Sequence, residues 1–471
     1  MGVILFAVFT VMEIALTVLS FTKYKDLRRR NRLFFCAAEF VFMLLVMLLP
    51  VTGQKWRFTG CLVILGIRLA ISCLAYFIKR GSTTKEKTKA KAVFGTVMNV
   101  ILITFSLFPA FIFTDYSGLK TSGQYEVKET QAILIDSSRL ETNENDGSNR
   151  EIPIHFYYPK SDAADCPLVL FAHGSFGYYH SNYSLYAELA SNGYVVASID
   201  HPYYAFFTRD TEGKTIIVDT EFMQTAINMQ YSSDFTETEN DFNIICEWMS
   251  IRTADENFVL DTIKTAKDLR KLDTAWYMES GDAEEEILRV LEMTDTEKIG
   301  LMGHSIGGAA AVQLGRERDD IMAVVDIDGT MLGEQIAFHD GKISYNPVPY
   351  PIPVLSLDNA SHWESYLNEE TDYVNKYLLD NAIDGREAHF DGTEHMDFTD
   401  LPLFSPTLSK MLGKGDVDSS EFIPEINRII LNYFNYYLKE EGEPNIEPWN
   451  AQTVENYSKH NRPVLKTSGI L

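Results

Sequence analysis

The 471-residue chain has few basic residues for its length and only five cysteines. It carries 41 Lys and Arg against 66 Asp and Glu, a formal net charge of −25. Such a surface repels phosphates, which argues against a nucleic-acid binder. The sequence contains no C-x-x-C pair, no His-rich metal spacing and no internal repeat. We therefore expect neither a bound metal nor a repeat architecture.

The five cysteines predict little about the redox environment. Cys36, Cys61 and Cys73 lie in apolar stretches, where a thiol behaves as a small apolar group. Cys166 and Cys246 lie in the polar part of the chain. One disulfide between them is compatible with the sequence, but spacing alone does not predict it.

Charge and hydropathy divide the chain into two parts. Residues 1–115 contain 15 Lys and Arg against five Asp and Glu, whereas the remainder carries −35. Nothing basic precedes the first apolar stretch and three more follow it, which favours membrane spans over a cleavable signal peptide. We predict an all-α transmembrane region over 1–115 and a separate domain over 116–471. Four apolar stretches are long enough to cross a bilayer: 3–21, 33–51, 58–78 and 93–113.

The connections between these stretches predict their orientation. Six Lys and Arg lie between the first and second stretches and six between the third and fourth, but only Lys55 and Arg57 lie between the second and third. By the positive-inside rule the two strongly basic connections are cytoplasmic. Both termini and the domain 116–471 are then extracytoplasmic, on a multi-pass protein of the cell membrane.

Three charged residues, Glu13, Glu39 and Arg68, lie within the apolar stretches. Glu13 and Arg68 lie at similar depth, so we expect them to pair, because a lone charge there is costly. No further polar groups line up with them, which favours a structural ion pair over a proton or ligand path. Glu39 either belongs to such a pair or reaches toward an interface.

Short apolar runs alternate with helical patterns after a polar linker at 117–123. Strands separated by helices predict an α/β fold with a mostly parallel sheet and helices on both faces. The active site of such a sheet lies at the carboxyl ends of its strands. A loop at 141–150 joins the first two strands as a hairpin. We predict strands at 131–136, 152–158, 167–173, 194–200, 298–302, 322–328 and 354–357, and helices at 184–192 and 255–272.

The pentapeptide Gly303-His304-Ser305-Ile306-Gly307 follows an apolar strand and precedes a helical pattern. Strand, sharp turn and helix form the context of a nucleophile elbow. The turn imposes a strained backbone on the serine, and the glycines remove Cβ atoms that would clash. Ser305 is therefore the candidate nucleophile.

A second glycine turn, starting at His173-Gly174-Ser175, follows the strand 167–173. Such a turn supplies one backbone N–H to an oxyanion hole, and the residue after the nucleophile supplies the other. We assign these donors to Ser175 and Ile306, with Phe176 as the alternative to Ser175. We expect His173 to have a structural role.

The acid and the base follow the serine in the order expected for this arrangement. Asp328 precedes a glycine at a strand end and ranks first as the acid, Asp358 ends the next strand and ranks second, and Asp326 lies inside a strand. His395, in a downstream loop, is the candidate base. Three other histidines are excluded: His304 lies inside the elbow, His389 lies in an apparent strand, and His362 follows Asp358 too closely.

These residues resemble the platelet-activating factor acetylhydrolase family of α/β-hydrolases. The similar segments are Gly303 to Gly308, Ile327-Asp328-Gly329, His395-x-x-Phe398-x-Asp400, Thr121 to Tyr125, and the helical Arg252-x-x-Asp255 segment. The resemblance covers most of residues 120–440. It implies Ser305, Asp328 and His395 as the triad, and no metal or other cofactor. Asp328 also falls 23 residues after Ser305, the close spacing that the resemblance leads us to expect.

Three features depart from the family pattern and bear on the substrate. Ser175 replaces a more apolar residue in the oxyanion turn. Residues 206–250 form a long, partly acidic insertion, interpreted either as a lid with inward apolar residues or as a surface excursion. The four N-terminal stretches lie outside the resemblance.

The leading hypothesis is a membrane-anchored serine ester hydrolase for short or oxidised acyl esters of lipids. A broad carboxylesterase, or a polyester or peptide hydrolase, is the enzymatic alternative. A membrane receptor or scaffold with an inactive hydrolase domain is the non-enzymatic one, although a complete triad and oxyanion turn argue against it. The sequence does not predict the oligomeric state.

Overall fold

A computed structural model describes residues 1–22, 28–78, 88–161, 164–230, 238–368, 373–444, 446 and 464–465. The chain divides into two compact units. One comprises Met1–Gly118 and Leu401–Met411, and the other Leu119–Asp400 and Leu412–Leu471. This division differs from the predicted boundary at 115, because a short segment after His395 groups with the N-terminal helices.

The first unit consists of helices. Its four long helices are apolar enough to cross a membrane. The fourth is shorter than predicted and ends at Ser106, because Pro109 lies in the first turn of a new helix. Most of the two basic connections, at 23–27 and 79–87, lies outside the described residues. The helices are α1 (Gly2–Leu19), α2 (Arg28–Leu48), α3 (Trp56–Ile78), α4 (Lys89–Ser106), α5 (Phe108–Ile112), α13 (Leu401–Phe404) and α14 (Pro406–Met411).

Apolar side chains lie on both the inside and the outside of this helical unit. Leu5, Phe9 and Phe58 are buried in its core. Val3 and Ile78 are more than two-thirds exposed, as are Leu48 of α2 and Phe105 of α4. An apolar outer surface of this extent is typical of helices that face lipid.

The charged residues of the apolar stretches meet in the interior of the helical unit. Arg68 forms ion pairs with Glu13 and with Glu39, the latter at 3.1 Å. Asn99 Nδ2 donates a hydrogen bond to Glu13 at 2.8 Å. The expected pairing of Glu13 with Arg68 is present, and Glu39 is fully buried beside Arg68 instead of reaching an interface.

The second unit contains a ten-stranded sheet in the order β14-β13-β12-β9-β8-β3-β4-β2-β1-β7. The six strands from β13 to β4 are parallel, and the remaining pairings are antiparallel. This confirms the predicted mostly parallel sheet. Two further pairs, β5–β6 and β10–β11, form separate two-stranded sheets. The described strands are β1 (Val127–Leu140), β2 (Asn149–Pro159), β3 (Cys166–Ala172), β4 (Val195–Ile199), β5 (Phe207–Arg209), β6 (Thr215–Ile217), β7 (Trp276–Tyr277), β8 (Thr294–His304), β9 (Ile321–Ile327), β10 (Gln335–His339), β11 (Lys342–Tyr345), β12 (Val354–Asn359), β13 (Asp384–Phe390) and β14 (Val464–Leu465).

Helices cover both faces of the sheet, because successive strand residues point to opposite sides. Leu168 and Leu170 of β3 pack in one core cluster with residues of α8 and α9. Val169 and Phe171 pack in the other, with residues of α6 and α15. The helices are α6 (Tyr183–Ser191), α7 (Thr220–Gln230), α8 (Glu239–Leu269), α9 (Gly281–Met293), α10 (Ile306–Glu317), α11 (Ala360–Leu367), α12 (Val374–Asp380) and α15 (Ser419–Lys439).

Helix α8 begins 16 residues earlier than the predicted start at 255. Thr238 and Asp241 form a capping box, in which each side chain accepts a hydrogen bond from the other residue's backbone N–H. Residues 239–250 of the predicted insertion are therefore the first turns of a 31-residue helix.

The structure contains five free thiols. Cys166 is buried at the start of β3, whereas Cys246 is exposed on α8. The disulfide between Cys166 and Cys246, which the sequence alone could not decide, is absent.

Candidate active site

Ser305 occupies a one-residue turn between β8 and α10. Its backbone has φ 57° and ψ −130°, in the left-handed region that non-glycine residues rarely adopt. A residue held there costs on the order of 1–3 kcal/mol. The turn is supported from the neighbouring strand, because the Ser305 N–H donates to the carbonyl of Ile327 at 2.9 Å.

The glycines on either side of Ser305 permit a close approach between strand and helix. A Cβ atom on Gly303 would lie 2.3 Å from the carbonyl carbon of Gly307. One on Gly307 would lie 2.2 Å from the carbonyl oxygen of Ala172 on β3. Neither space admits a side chain, so this G-x-S-x-G sequence is required by packing as well as by the turn.

Asp328 and His395 meet at the carboxyl ends of the parallel strands. Asp328 follows β9 with φ 55°, and its N–H donates to the carbonyl of Leu357 on β12 at 2.7 Å. His395 Nδ1 lies 2.6 Å from Asp328 Oδ2. A proton on Nδ1 directed at the carboxylate leaves Nε2 as the nitrogen that can accept a proton.

Asp328 is ionised although it is fully buried. Burial by itself would raise the pKa of its carboxyl group. The imidazole of His362, followed by that of His395, outweighs burial and holds the pKa well below its usual range. A buried anion that accepts several hydrogen bonds is suited to orienting an imidazole.

The loop that carries His395 is held in place by hydrogen bonds, several of them made by Asp400. The Asp400 carboxylate accepts hydrogen bonds from Ser184 N and Ser184 Oγ, both at 2.6 Å. Asn182 Nδ2 donates to the carbonyl of Phe398 at 2.7 Å. The Phe398 ring packs in the core. The spacing His395-x-x-Phe398-x-Asp400 thus ties the loop to the start of α6.

The other two candidate acids do not contact His395. Asp326 and Asp358 are buried, and burial raises the pKa of each well above its usual range. Both are therefore expected to be neutral. Asp358 accepts from Ser356 Oγ at 3.1 Å. Of the three candidates that the sequence ranked, Asp328 is the one placed against the histidine.

His362, excluded from the sequence prediction of the base, lies on the opposite side of Asp328. Its Nδ1 is 3.1 Å from Asp328 Oδ1. The preceding Asn359 caps α11, and its backbone N–H and Nδ2 donate to Asp328 at 2.7 and 2.9 Å. The capping signal Asn359-x-x-His362 is the pattern by which the sequence could have located this residue.

Asp328, Asp358 and His362 are close enough together to offer three ligand atoms to a metal ion. The Asp328 oxygens, however, already accept two hydrogen bonds from Asn359 and one from His395. Its lone pairs are thereby directed at N–H groups, which makes it a poor metal ligand.

The other excluded histidines have structural partners. His304 Nε2 lies 3.3 Å from the carbonyl oxygen of His395, and burial lowers its pKa to about 3. His389 pairs with Glu387 at 2.9 Å and stacks on Trp363. These contacts agree with the exclusion of His304 and His389 as the catalytic base.

The second glycine turn lies directly against the elbow. A Cβ atom on Gly174 would be 3.0 Å from Ser305 Cβ. The Phe176 N–H donates to the carbonyl of Tyr204 at 3.3 Å, which favours Ser175 over Phe176 as the donor facing the substrate. Ile306 is the first residue of α10, where backbone N–H groups have no partner within the helix.

His173 holds this turn from below. It is fully buried, its Nδ1 lies 2.7 Å from the carbonyl of Gly174, and its Nε2 accepts from the N–H of His201 at 3.2 Å. Arg252 donates to the His173 carbonyl at 2.7 Å. The structural role expected of His173 fits these contacts.

The insertion 206–250 comprises the β5–β6 hairpin, α7 and the first turns of α8, apart from 231–237, which lie outside the described residues. Phe222 and Trp248 of the insertion stack edge to face at 4.8 Å. Both belong to an apolar cluster with Ile306, and Phe176 packs against it. The apolar residues of the insertion therefore lie beside Ile306, one of the two proposed oxyanion donors, and beside Phe176, which follows the other.

Comparison with known proteins agrees with the resemblance. The profile described as platelet-activating factor acetylhydrolase, isoform II, matches residues 146–456. The platelet-activating factor acetylhydrolase of Cavia porcellus is 24% identical over 323 residues, covering 64% of this chain and 64% of that protein. That of Bos taurus is 23% identical over 281 residues, covering 58% and 57%. The chain thus spans less than two-thirds of the length of these relatives.

A solved structure is similar in fold. The ferulic acid esterase from Streptomyces cinnamoneus aligns with a TM-score of 0.50 and 20% identity, over 71% of this chain and 96% of that one. Together with the sheet described above, it identifies the fold as that of an α/β-hydrolase. Because the family profile matches more than half of its residues, the chain belongs to the platelet-activating factor acetylhydrolase, isoform II, family.

Proposed function

We propose that the protein is a serine ester hydrolase, anchored in the cell membrane by its N-terminal helices, that cleaves short or oxidised acyl esters of lipids. The observation that carries this proposal is the 2.6 Å contact between His395 and Asp328, beside an elbow that holds Ser305 with φ 57°. Membership of the family supports the ester as the bond cleaved.

In the proposed mechanism His395 Nε2 removes the proton of Ser305 Oγ as this oxygen attacks the ester carbonyl. Asp328 keeps the imidazole in the required tautomer and stabilises its protonated form. The N–H groups of Ser175 and Ile306 bind the oxyanion, at about 3 kcal/mol per donor. His395 then protonates the leaving alcohol, and water attacks the acyl-enzyme in the same way.

The insertion 206–250 supports an apolar acyl group in the substrate. Phe222, Trp248 and Met249 of the insertion belong to the cluster that contains Ile306. We propose that the described part of this segment forms a wall of the acyl site, as a lid, and that its aromatic residues contact the hydrocarbon part of the acyl group.

We also propose the membrane arrangement of the two predicted regions. Residues 1–115 form four transmembrane helices, and 116–471 form an extracytoplasmic hydrolase domain. The length and apolar character of α1 to α4 support the first statement. The basic connections support the second.

Covalent labelling tests the catalytic proposal. A fluorophosphonate probe should label the full-length protein in membranes, and Ser305→Ala should abolish the labelling. Ser344→Ala, an exposed serine of β11, is the matched control and should label like the unmodified protein. Absence of labelling in the unmodified protein would contradict the proposal and favour the receptor or scaffold alternative.

A substrate panel separates the enzymatic alternatives. Phospholipids with acetyl, oxidised and long acyl chains should be compared with p-nitrophenyl esters, a polyester and a peptide. Faster cleavage of the short-chain and oxidised lipids is the expected result. Equal rates on all esters would favour a broad carboxylesterase instead.

Cys246 provides a native reporter of sidedness, since it is exposed on α8 whereas the other cysteines are not. A membrane-impermeant maleimide added to intact cells should label it, and Cys246→Ser should not be labelled. Labelling only after permeabilisation would place the hydrolase domain in the cytoplasm and refute the proposed topology.

A further inference from the structure

Asp328 is held between two histidines. On one side Oδ2 faces His395 Nδ1 at 2.6 Å. On the other side Oδ1 faces His362 Nδ1 at 3.1 Å. A catalytic triad needs only one imidazole beside its acid, so the second imidazole, that of His362, must have a different role.

Helix α11 positions His362. Asn359 caps the helix by accepting the N–H of His362 at 2.9 Å, and the same residue donates twice to Asp328. One helix start thereby aligns the second imidazole and the carboxylate. The side chain of His362 is only 18% exposed, so water screens this contact weakly.

Among the described residues, the groups that face His362 leave a single anion, Asp328, beside it. Burial would lower the pKa of His362, but the carboxylate of Asp328, the largest opposing influence, raises it above its usual value. The Oδ1 atom of Asp358 lies 3.8 Å from His362 Nδ1. Asp326 and Asp358 are themselves neutralised by burial. Other ionisable neighbours within the described part of the chain are Tyr373, whose ring centre is 6.1 Å away, His304 in the elbow, and Glu387 and His389 on β13 beside Asp358.

We propose that His362 is a positioning residue for the hydrolase reaction, which lies in ionic contact with the far oxygen of Asp328 and, as an imidazolium, reduces the attraction of this carboxylate for the proton of His395. The inference rests on the proposed function of the Ser305 site. Its consequence is that the reaction keeps its rate to a lower pH than it would with Asp328 alone.

Replacement by asparagine separates the two contributions of His362. Asn Nδ2 occupies nearly the same position as His Nδ1, so His362→Asn keeps a polar N–H group in contact with Asp328 and removes the positive charge. His362→Leu removes both. A purely structural role would lower the rate in both variants without altering its dependence on pH.

The test measures the rate constant of fluorophosphonate labelling of the full-length protein between pH 5 and 9. In His362→Asn the acid limb should move to higher pH by about one unit, with the plateau rate changed by less than about threefold. In His362→Leu the plateau should also fall by about tenfold or more, since Asp328 loses a contact that orients it. His339→Asn, an exposed histidine at the end of β10, should leave the profile unchanged.

An acid limb that does not move in His362→Asn would overturn the inference. If that variant does not fold, as judged by thermal unfolding, His362→Gln carries the same test with a longer neutral amide. Failure of the inference is distinguishable from failure of the proposed function, because the latter predicts labelling of the unmodified protein and its loss in Ser305→Ala at every pH.

Discussion

Both units of the chain bury a cluster of ionisable side chains, and the two clusters have inverse compositions. In the helical unit one cation, Arg68, lies between Glu13 and Glu39. In the sheet unit one anion, Asp328, lies between His362 and His395. The first is a cation with two carboxylates, and the second is a carboxylate with two imidazoles.

The difference lies in the donors available to each cluster. Backbone N–H groups inside a helix are committed to the helix, so Glu13 receives its additional hydrogen bond from a side chain, Asn99. At the carboxyl end of a strand the backbone is free, and the N–H of Asn359 donates to Asp328. Strand ends can therefore hold a buried anion firmly and still leave one of its partners able to exchange a proton.

The largest expected effect comes from neutralising Asp328, the anion of the cluster in the sheet unit. Asp328→Asn should slow fluorophosphonate labelling by about 10⁴, because the amide favours the wrong tautomer of His395. Asp358→Asn replaces a neutral acid with a neutral amide and should slow it by less than about tenfold. A larger effect in Asp358→Asn than in Asp328→Asn would reverse the assignment of the acid.

Removing the cation of the helical cluster should affect stability instead of chemistry. Arg68→Met leaves Glu13 and Glu39 unpaired in an apolar interior, at a cost of about 3–5 kcal/mol. Thermal unfolding in detergent micelles measures this loss. Combining Arg68→Met with Glu13→Gln and Glu39→Gln should restore most of the stability. An unchanged unfolding temperature in the single variant would show that the cluster contributes little.

A smaller effect is expected from crowding the elbow. In Gly174→Ala the new Cβ atom would lie 2.8 Å from His304 Nδ1 and 3.0 Å from Ser305 Cβ. Displacement of the serine by a fraction of an ångström should slow labelling by up to about 10². Gly281→Ala, where nothing lies within 4 Å, is the matched control. Equal labelling of both variants would contradict the close contact between the two turns.

The smallest effect concerns stability and pH. The pKa of His362 is raised from 6.5 to about 9 in the folded chain. Protonation of His362 therefore stabilises the fold fully below pH 6.5, and this contribution is lost as the pH rises to 9. The unfolding temperature of His362→Asn should fall furthest below the unmodified protein at pH 6 and approach it near pH 9.5. A constant difference would exclude linkage to this histidine.

Much of the fold could be predicted because its signals are local. The strand 167–173 and the elbow turn are visible as a short apolar run and a glycine pattern, and the structure contains both. The start of α8 was missed because the capping box at Thr238 lies in an acidic stretch with little apolar periodicity. The grouping of Leu401–Met411 with the N-terminal helices has no local signal at all.

The candidate site shows the same limit. Ser305 could be located from five residues, because the flanking glycines indicate a strained turn with no room for Cβ atoms. His362 was set aside because it follows Asp358 by only four residues. Sequence distance was a poor guide there, since the cap at Asn359 turns the chain and directs the imidazole back to Asp328.

By itself the sequence determined the apolar helices, the alternation of strands and helices, and the strained serine, because each depends on residues close together along the chain. The sequence also ranked Asp328 first among three aspartates, but only the tertiary structure placed it between two histidines. The physical reason is that β9, β12 and the loop after β13 bring their ends together, and contacts across strands, not order along the chain, decide which carboxylate remains charged.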